Sequence, residues 1–253
     1  MRDFTVAIYR RLLDGLKSGG FSFQTFSGFM QSPDPKTVML RHDVDDRKGH
    51  SLEFARIQHE KGIAGTYYFR MVPQSYDEGV IREIHNLGHE IGYHYEEMDF
   101  ANGDLKTALG IFEKNLDQLR RLAPITSICM HGSPRSKYDN KELWRHYNYR
   151  DYGIVGEPYF DLDFDSVFYL TDTGRRWDGK AVSVRDKVDK GGGPLFHSTE
   201  EIISAVSRPD FPKQVMINFH PQRWTDDPQL WLREKYVQLA KNFIKYWLIK
   251  WRN

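Results

Sequence analysis

The chain has 253 residues, which suits one large α/β domain or two small ones, and an ordinary composition with 40% hydrophobic and 28% charged residues. Its formal net charge of +1 gives no reason to expect nucleic acid or an anionic membrane as a partner. The single cysteine, Cys129, excludes an intrachain disulfide, and no apolar run approaches the roughly 18 residues of a membrane span. The first residues lack the apolar core and cleavage site of a signal peptide, so we expect a cytoplasmic protein.

The first half of the chain alternates between strand and helix patterns. A first helix over 4–18 precedes a connection at 21–36 that is rich in Ser, Phe and Pro. Strands that alternate with helices indicate a parallel sheet with right-handed crossovers. We predict strands at 38–46, 65–70, 89–96 and 125–130, separated by helices at 48–61, 77–87 and 105–119.

The second half is less regular. Residues 135–165 are predicted as loops with short elements, and no linker or repeat divides the chain. We therefore predict one domain over 1–253, with an N-terminal helix and connection at 1–36 and a barrel at 37–253. The remaining predicted elements are strands at 167–172 and 215–220, a helix from 198 to about 207, and a helix over 228–249 whose apolar stripe is Leu232, Tyr236, Leu239, Phe243 and Trp247.

Four predicted strands end in side chains that can do chemistry. Asp43 and Asp45 lie on one face of a strand because side chains alternate, and Arg41 is in phase to pair with Asp43. Two adjacent carboxylates repel each other unless a cation lies between them, and a divalent metal is the usual solution. The other strand ends carry His94 and Glu96, His131 and Ser133, and His220. The carboxyl ends of parallel barrel strands converge on one mouth, which predicts a single site.

Each of these side chains has a candidate role. The pair His94 and Glu96 can bind one metal together, and His220 suits a general acid because its pKa can be tuned across neutrality. For His131, the roles of metal ligand, substrate contact and turn stabiliser all remain open. Arg70 ends the second strand of the alternating series and is a candidate for facing the site.

These motifs resemble those of the polysaccharide deacetylase (NodB-homology, carbohydrate esterase family 4) superfamily, from Val38 to about Trp224, and are most similar to its intracellular WbmS-like group. The resemblance implies an α/β fold of the distorted, incomplete (β/α) barrel type. The stretch His42-Asp43-Val44-Asp45 is similar to the first motif of the family and implies Asp43 as catalytic base and Asp45 as metal ligand. An offset assignment, with Asp45 as base and Asp46 as ligand, stays open.

The later motifs imply further roles and one departure. His94 matches the first metal histidine of the second motif, but Met98 stands where a second histidine is usual, and a thioether is a poor ligand for a hard metal. Either Glu96 or His131 supplies the third ligand, or the metal is bound weakly or not at all. His131 stands where an arginine usually pairs with the base, which leaves that pairing to Arg41 or Arg70. Asp172 is expected to orient His220, beside an aromatic wall that includes Trp177.

The first functional hypothesis is a metal-dependent hydrolase that removes an acetyl group from a small-molecule or lipid-linked N-acetylated sugar in surface-polysaccharide biosynthesis. Its cofactor would be a divalent metal, Zn²⁺ foremost, with Fe, Co or Mn as alternatives. In this hypothesis Asp43 takes a proton from water, a backbone N–H near Tyr95 stabilises the oxyanion, and His220 protonates the departing amine. The expected substrate contacts are Arg41, Arg70, Tyr95, Ser133, Arg175, Trp177 and Trp224.

Two alternatives remain open. The same metal chemistry hydrolyses other C–N bonds, such as those of cyclic amides or ureides. The third hypothesis is a degenerate, non-catalytic sugar-binding protein, which Met98 favours and the retention of Asp43, Asp45, His94 and His220 opposes. The sequence predicts no oligomeric state.

Overall fold

Parallel strands form the centre of the fold in the computed structural model, which describes residues 2–132, 136–178 and 194–252. The strands are β1 (Ser22–Gln24), β2 (Thr37–Val44), β3 (Thr66–Phe69), β4 (Glu90–Tyr95), β5 (Ile125–Met130), β6 (Phe168–Thr171) and β7 (Gln214–Phe219). They lie in the order β5-β4-β3-β2-β7-β6, and β1 pairs with the beginning of β2. Within the described ranges β5 and β6 lie at opposite edges, so the sheet is an incomplete barrel. The prediction of an α/β fold with a parallel sheet is confirmed.

Helices surround this sheet. They are α1 (Val6–Ser18), α2 (Phe26–Gln31), α3 (Lys48–Glu60), α4 (Glu78–Asn86), α5 (Glu97–Phe100), α6 (Leu105–Arg120), α7 (Leu143–His146), α8 (Pro158–Asp161), α9 (Thr199–Ala205) and α10 (Pro228–Arg252). Short 3₁₀ turns lie at Asn140–Glu142, Tyr149–Tyr152 and Pro221–Arg223. Among the helices of the described residues, none has the length and apolar character needed to cross a bilayer.

The segment predicted as a plain connection, 21–36, contains β1 and α2. Strand β1 has only three residues, too few for a period to be read from the sequence, and its register is set by pairing with Thr37 to Met39 of β2. Thr25 caps α2 by accepting a hydrogen bond from the backbone N–H of Gly28. Phe26 and Phe29 then pack with Met39 and Met216 in a small second core.

The central strand β2 is buried over all eight residues and presents two different faces. Its even-numbered residues, including Leu40 and Val44, join the core beneath the helices, whereas Arg41 and Asp43 point into the barrel. On β4, a side chain in place of Gly92 would lie 2.4 Å from the ring of Tyr68, so glycine leaves room for that ring inside the barrel.

His42 lies on the helix side of β2, in a buried polar network. Its Nδ1 is 3.1 Å from the carbonyl oxygen of Thr66 and its Nε2 is 2.8 Å from the side-chain nitrogen of Gln58. The ring stacks on Tyr67 with the centroids 4.0 Å apart. Burial disfavours the charged ring and lowers the pKa of His42 to about 3. His42 is therefore a neutral core residue and not part of the strand-end chemistry.

Helix α10 does not bury its apolar stripe. Leu232, Tyr236, Leu239 and Phe243 are 47%, 63%, 53% and 66% exposed, and the side chain of Trp247 lies outside the described residues. The helix packs through its other face, where Gln238 is buried and the indole N–H of Trp231 donates to the carbonyl oxygen of Asp3. An apolar stripe on a helix is ordinarily its buried face, so this exposure needs an explanation.

We expect His42 to make folding stability sensitive to acid. Its folded pKa is lower than the unfolded value near 6.5, so its contribution is present above about pH 6.5 and is lost as the pH falls toward the folded value. Between pH 7 and pH 5, urea unfolding should show that the wild type loses about 2 kcal/mol more stability than His42→Gln. His146→Gln, at a side chain that is 49% exposed, is the control and should follow the wild type. Equal losses in wild type and His42→Gln would contradict the expectation.

Candidate active site

The chemically active side chains converge at the carboxyl ends of β2, β4, β5, β6 and β7. Asp43 and Asp45 come from the end of β2, and His94 from β4. His131 follows β5, and His220 follows β7. Carboxylate and imidazole atoms of all five residues lie within 4.0 Å of one another in successive pairs. The structure thus brings together side chains that are up to 177 positions apart in the sequence.

Three imidazoles are held in the same orientation, each through its Nδ1 atom. The Nδ1 of His94 is 2.9 Å from the carbonyl oxygen of Cys129, and the Nδ1 of His131 is 2.7 Å from Oε2 of Glu96. The Nδ1 of His220 is 2.6 Å from Oδ1 of Asp172. When Nδ1 carries the proton in such a contact, Nε2 is left with a free lone pair. All three Nε2 atoms face the two aspartates.

Asp45 lies between two of these imidazoles. Its Oδ1 is 3.6 Å from Nε2 of His94 and 3.8 Å from Nε2 of His131. That oxygen is buried and has no hydrogen-bond partner among the described residues. Ligand atoms around a tetrahedral Zn²⁺ lie about 3.4 Å apart, and carboxylate with imidazole is a common donor set for this ion. Asp45, His94 and His131 could therefore hold a divalent metal.

Glu96 holds His131 instead of completing the ligand set. Its two oxygens receive a forked pair of hydrogen bonds from Arg70, both 2.8 Å, and Oε2 also contacts His131. Burial would raise the pKa of Glu96, but the hydrogen bond to His131 and the contact with Arg70 outweigh it and lower the pKa to about 2. Of the two candidates for the third ligand, His131 is the one that directs a free nitrogen at Asp45. Glu96 supports it, and Met98 is a core residue that is 4% exposed.

Asp43 is fixed by a buried ion pair with Arg41, as the strand phase predicts. Arg41 Nε and NH2 donate to its two oxygens at 2.8 and 2.7 Å, and the side chain of Asn218 donates at 3.0 Å. Burial would raise the pKa of Asp43, but the charge of Arg41 outweighs it and holds the pKa well below its usual range. Asp43 is thus an oriented carboxylate, 3.8 Å from Nε2 of His94 and 4.0 Å from Nε2 of His220.

A second, deeper donor set combines Asp43 and His94 with Cys129. Asp43, His94 and Cys129 each have a ligand atom within 4.8 Å of the others, and all three are buried. The oxygens of Asp43 already accept hydrogen bonds from Arg41 and Asn218, which leaves them less available to a metal. The Asp45 set has the unpartnered oxygen, so it is the better candidate for holding a divalent metal. The geometry also favours Asp43 and Asp45 over the offset pair, because Asp46 is exposed and its carboxylate accepts from the backbone N–H of Arg47.

His220 is oriented by Asp172 as expected, and by more contacts than the sequence indicates. Asp172 accepts from both the backbone N–H and the ring of His220, from the indole N–H of Trp224 at 2.6 Å, and from Arg223 at 3.0 Å. Burial would raise the pKa of Asp172, but these cationic and hydrogen-bonding partners lower it. The carboxylate therefore stays ionised beside the imidazole that it holds.

Several expected substrate contacts lie elsewhere. Trp224 and Trp177 are 0% and 5% exposed and pack against one another and Phe219 in the core, so neither offers a free face to a sugar. Arg175 donates to the carbonyl oxygen of Trp231 and lies over its ring, so its guanidinium is engaged by α10. The side chain of Tyr95 is buried against Trp144 on the helix side of β4, so the role expected for a backbone N–H near Tyr95 stays a prediction.

Two of the remaining expected contacts have structural partners. Arg41 and Arg70 are engaged by Asp43 and Glu96, so they support the site instead of presenting free charges to a ligand. Ser133 lies outside the described residues.

Three polar residues of the site were missed by sequence reasoning. Asn218 stands alone in the apolar run of β7, two positions before His220 and on the same face, which was a usable signal. Gln222, whose side chain is 3.4 Å from Oδ2 of Asp45, and Arg223 follow His220 in a 3₁₀ turn. Neither stands out from surface residues in the sequence.

No family model matches the sequence, and no curated protein matches it significantly. Among solved structures, the chain is similar to a family 4 carbohydrate esterase from Bacillus anthracis, with 12% identity over 97% of this chain and 91% of that one and a TM-score of 0.44. A CE4 family pseudoenzyme from the same organism has 10% identity over 84% of this chain and 62% of that one, with a TM-score of 0.46. A CE4 esterase from Streptococcus mutans has 12% identity over 90% of each chain and a TM-score of 0.45. With TM-scores below 0.5, these similarities carry no functional assignment, and the function has to be inferred from the side chains of this chain.

We expect metal binding to separate ligands from supporting residues. Asp45→Ala should abolish stoichiometric Zn²⁺ binding in isothermal titration, whereas Glu96→Gln should weaken it by about 10- to 100-fold because it loosens His131. The matched control is Asp46→Asn, the exposed neighbouring acid, which should bind like the wild type. Loss of the metal in Cys129→Ser with retention in Asp45→Ala would assign the deeper set instead.

Proposed function

We propose that this protein is a metal-dependent hydrolase that removes an acetyl group from an N-acetylated sugar. The observation that carries the proposal is that an oriented carboxylate, Asp43, and an oriented imidazole, His220, face the same space beside the Asp45, His94 and His131 donor set. Hydrolysis of an amide needs a base for water, an acid for the departing nitrogen and a source of positive charge near the carbonyl oxygen. The acetamide substrate is inferred from the resemblance of the motifs to those of polysaccharide deacetylases.

In the proposed reaction, Asp43 accepts a proton from the water whose oxygen forms the new bond to the acetamide carbon. Arg41 keeps Asp43 ionised and aligned, so the carboxylate is ready without rearrangement. A divalent metal bound at the Asp45 set would supply Lewis acidity and lower the pKa of water at the site. In this step His220 carries a proton on Nε2 as well as on Nδ1, and it gives the Nε2 proton to the nitrogen as the C–N bond breaks, which releases acetate and the free amine. Asp43 then loses its proton to solvent and His220 regains one, which restores both groups. Asp172 stabilises the protonated imidazole of His220 until its proton is transferred to the substrate nitrogen.

The biological setting belongs to the same proposal. We infer a role in surface-polysaccharide biosynthesis inside the cell, from the resemblance to intracellular relatives encoded with such genes. The sugar is a nucleotide- or lipid-linked N-acetylated hexose in this view.

Activity of single variants tests the base and the acid. We expect Asp43→Asn and His220→Gln each to lower kcat/KM for acetate release from an N-acetylhexosamine nucleotide by about 10²- to 10⁴-fold, the usual contribution of a positioned acid or base. Asp172→Asn should act through His220 and shift the pH profile of kcat as well as its size. Asp46→Asn serves as the control with unchanged turnover.

Three outcomes would contradict the proposal. Full activity in Asp43→Asn removes Asp43 as base. Turnover of cyclic ureides but of no acetamide would assign the site to another C–N bond. Sugar binding that Asp43→Asn leaves intact, with no turnover of any substrate in the metal-loaded wild type, would make the protein a binding protein.

A further inference from the structure

Helix α10 presents an apolar stripe to solvent. Leu232, Tyr236 and Leu239 are 47%, 63% and 53% exposed, and their spacing of four and three residues places them on one side of the helix. Exposed apolar side chains are common singly, but a row along one helix face marks a surface that binds something. The three residues are called the α10 stripe below.

Positive charge borders the α10 stripe. Arg233 and Lys235 are exposed and, at 100° per residue, lie on opposite sides of it. The sequence of α10 contains six basic residues and one acidic residue. That acid, Glu234, is 2.6 Å from Arg47 in an ion pair and so does not offset the basic charge of the exposed face. The net charge of +1 for the chain hides this local excess.

The buried face of α10 contacts the mouth of the barrel. Arg175 and Gly174, in the segment after β6, bond to Trp231 and Asn242 of the helix. The Arg47 that pairs with Glu234 follows β2 and the aspartates. The helix therefore lies beside the end of the sheet where the candidate active site opens.

We propose that α10 lies in the surface of an anionic membrane and holds the mouth of the barrel close to it. A helix with a polar basic border and a row of leucine and aromatic side chains is the pattern of helices that lie in the plane of the lipid interface. Charge complementarity selects an anionic membrane among the occupants, because a second copy would bring two basic helices together. Anionic lipid headgroups attract the basic side chains that border the α10 stripe.

A membrane-bound mouth favours one substrate class. A sugar carried on a lipid presents its polar head next to the membrane surface, at the position of the site, whereas a nucleotide sugar gains nothing from the helix. The lipid-linked N-acetylated sugar is thus the preferred substrate, and this last step, unlike membrane binding itself, rests on the proposed hydrolase function.

Vesicle sedimentation of the full chain tests the inference. We expect binding to vesicles of phosphatidylcholine with phosphatidylglycerol, and little binding to phosphatidylcholine alone. Leu232→Gln/Leu239→Gln should reduce the partition coefficient by at least about tenfold, because two apolar side chains leave the interface. Arg233→Gln/Lys235→Gln should reduce it by roughly fivefold per basic residue and only for the anionic vesicles.

The matched control replaces two exposed apolar residues away from α10. Phe160 and Leu195 are 43% and 59% exposed, and Phe160→Gln/Leu195→Gln should bind vesicles like the wild type. Circular dichroism checks that each variant is folded. Equal binding to neutral and anionic vesicles, or binding that survives Leu232→Gln/Leu239→Gln, overturns the inference.

Sedimentation velocity without lipid tests the competing occupant. A dimer that forms with concentration and is dissolved by Leu232→Gln/Leu239→Gln would assign the α10 stripe to a second copy. Vesicle binding without release of acetate from any N-acetylated sugar would refute the proposed function and leave the membrane inference standing. Acetate release without vesicle binding would refute the membrane inference and leave the proposed function standing.

Discussion

The buried pair of Arg41 and Asp43 is the constraint on which the rest of the site depends. Both side chains are almost fully buried, and a buried carboxylate is tolerated only when its oxygens are hydrogen-bonded and its charge is balanced. Two hydrogen bonds from Arg41 and one from Asn218 meet that need. Removing one partner of such a pair costs about 3–5 kcal/mol because the other is left uncompensated. The pair also makes the two carboxylates at the end of β2 different. Asp43 is occupied by Arg41, whereas Asp45 faces other partners, His94 and His131.

The same design recurs around the imidazoles. Asp172 holds His220, Glu96 holds His131, and a backbone carbonyl holds His94, each through Nδ1. Each imidazole therefore directs its Nε2 atom into the site, because a hydrogen-bond acceptor holds the Nδ1 atom on the opposite side of the ring. These acceptors are themselves held: Arg70 secures Glu96, and Trp224 secures Asp172. The residues that support the site come from the strands and their immediate ends.

Strand periodicity is sufficient to predict much of this site from the sequence. The two-residue period places Arg41 in phase with Asp43 and identifies the strands whose ends converge, because a parallel sheet leaves no other arrangement. It fails where the outcome depends on what packs against a residue. Trp177 and Trp224 lie in segments whose sequence is typical of exposed loops. Both are buried, because Phe4 from the beginning of the chain packs on each of them and the two indoles pack on one another. Likewise, the sequence pattern of α10 predicts an apolar helix face, but it does not predict whether another part of the same chain packs against that face.

The position of His131 has a further consequence. The helical turn that follows β4 begins at Glu97 and places Met98, a core residue, where a histidine could have met His94. The second imidazole comes instead from His131, at the end of β5. The two imidazoles meet only when β4 and β5 are paired, with His94 opposite Cys129. β5 is the last strand at one end of the sheet order. An ion held by both His94 and His131 would therefore stabilise this edge of the sheet as well as activate water. Ligand binding that requires the paired strands stabilises them by mass action, so local opening of β5 would release such an ion.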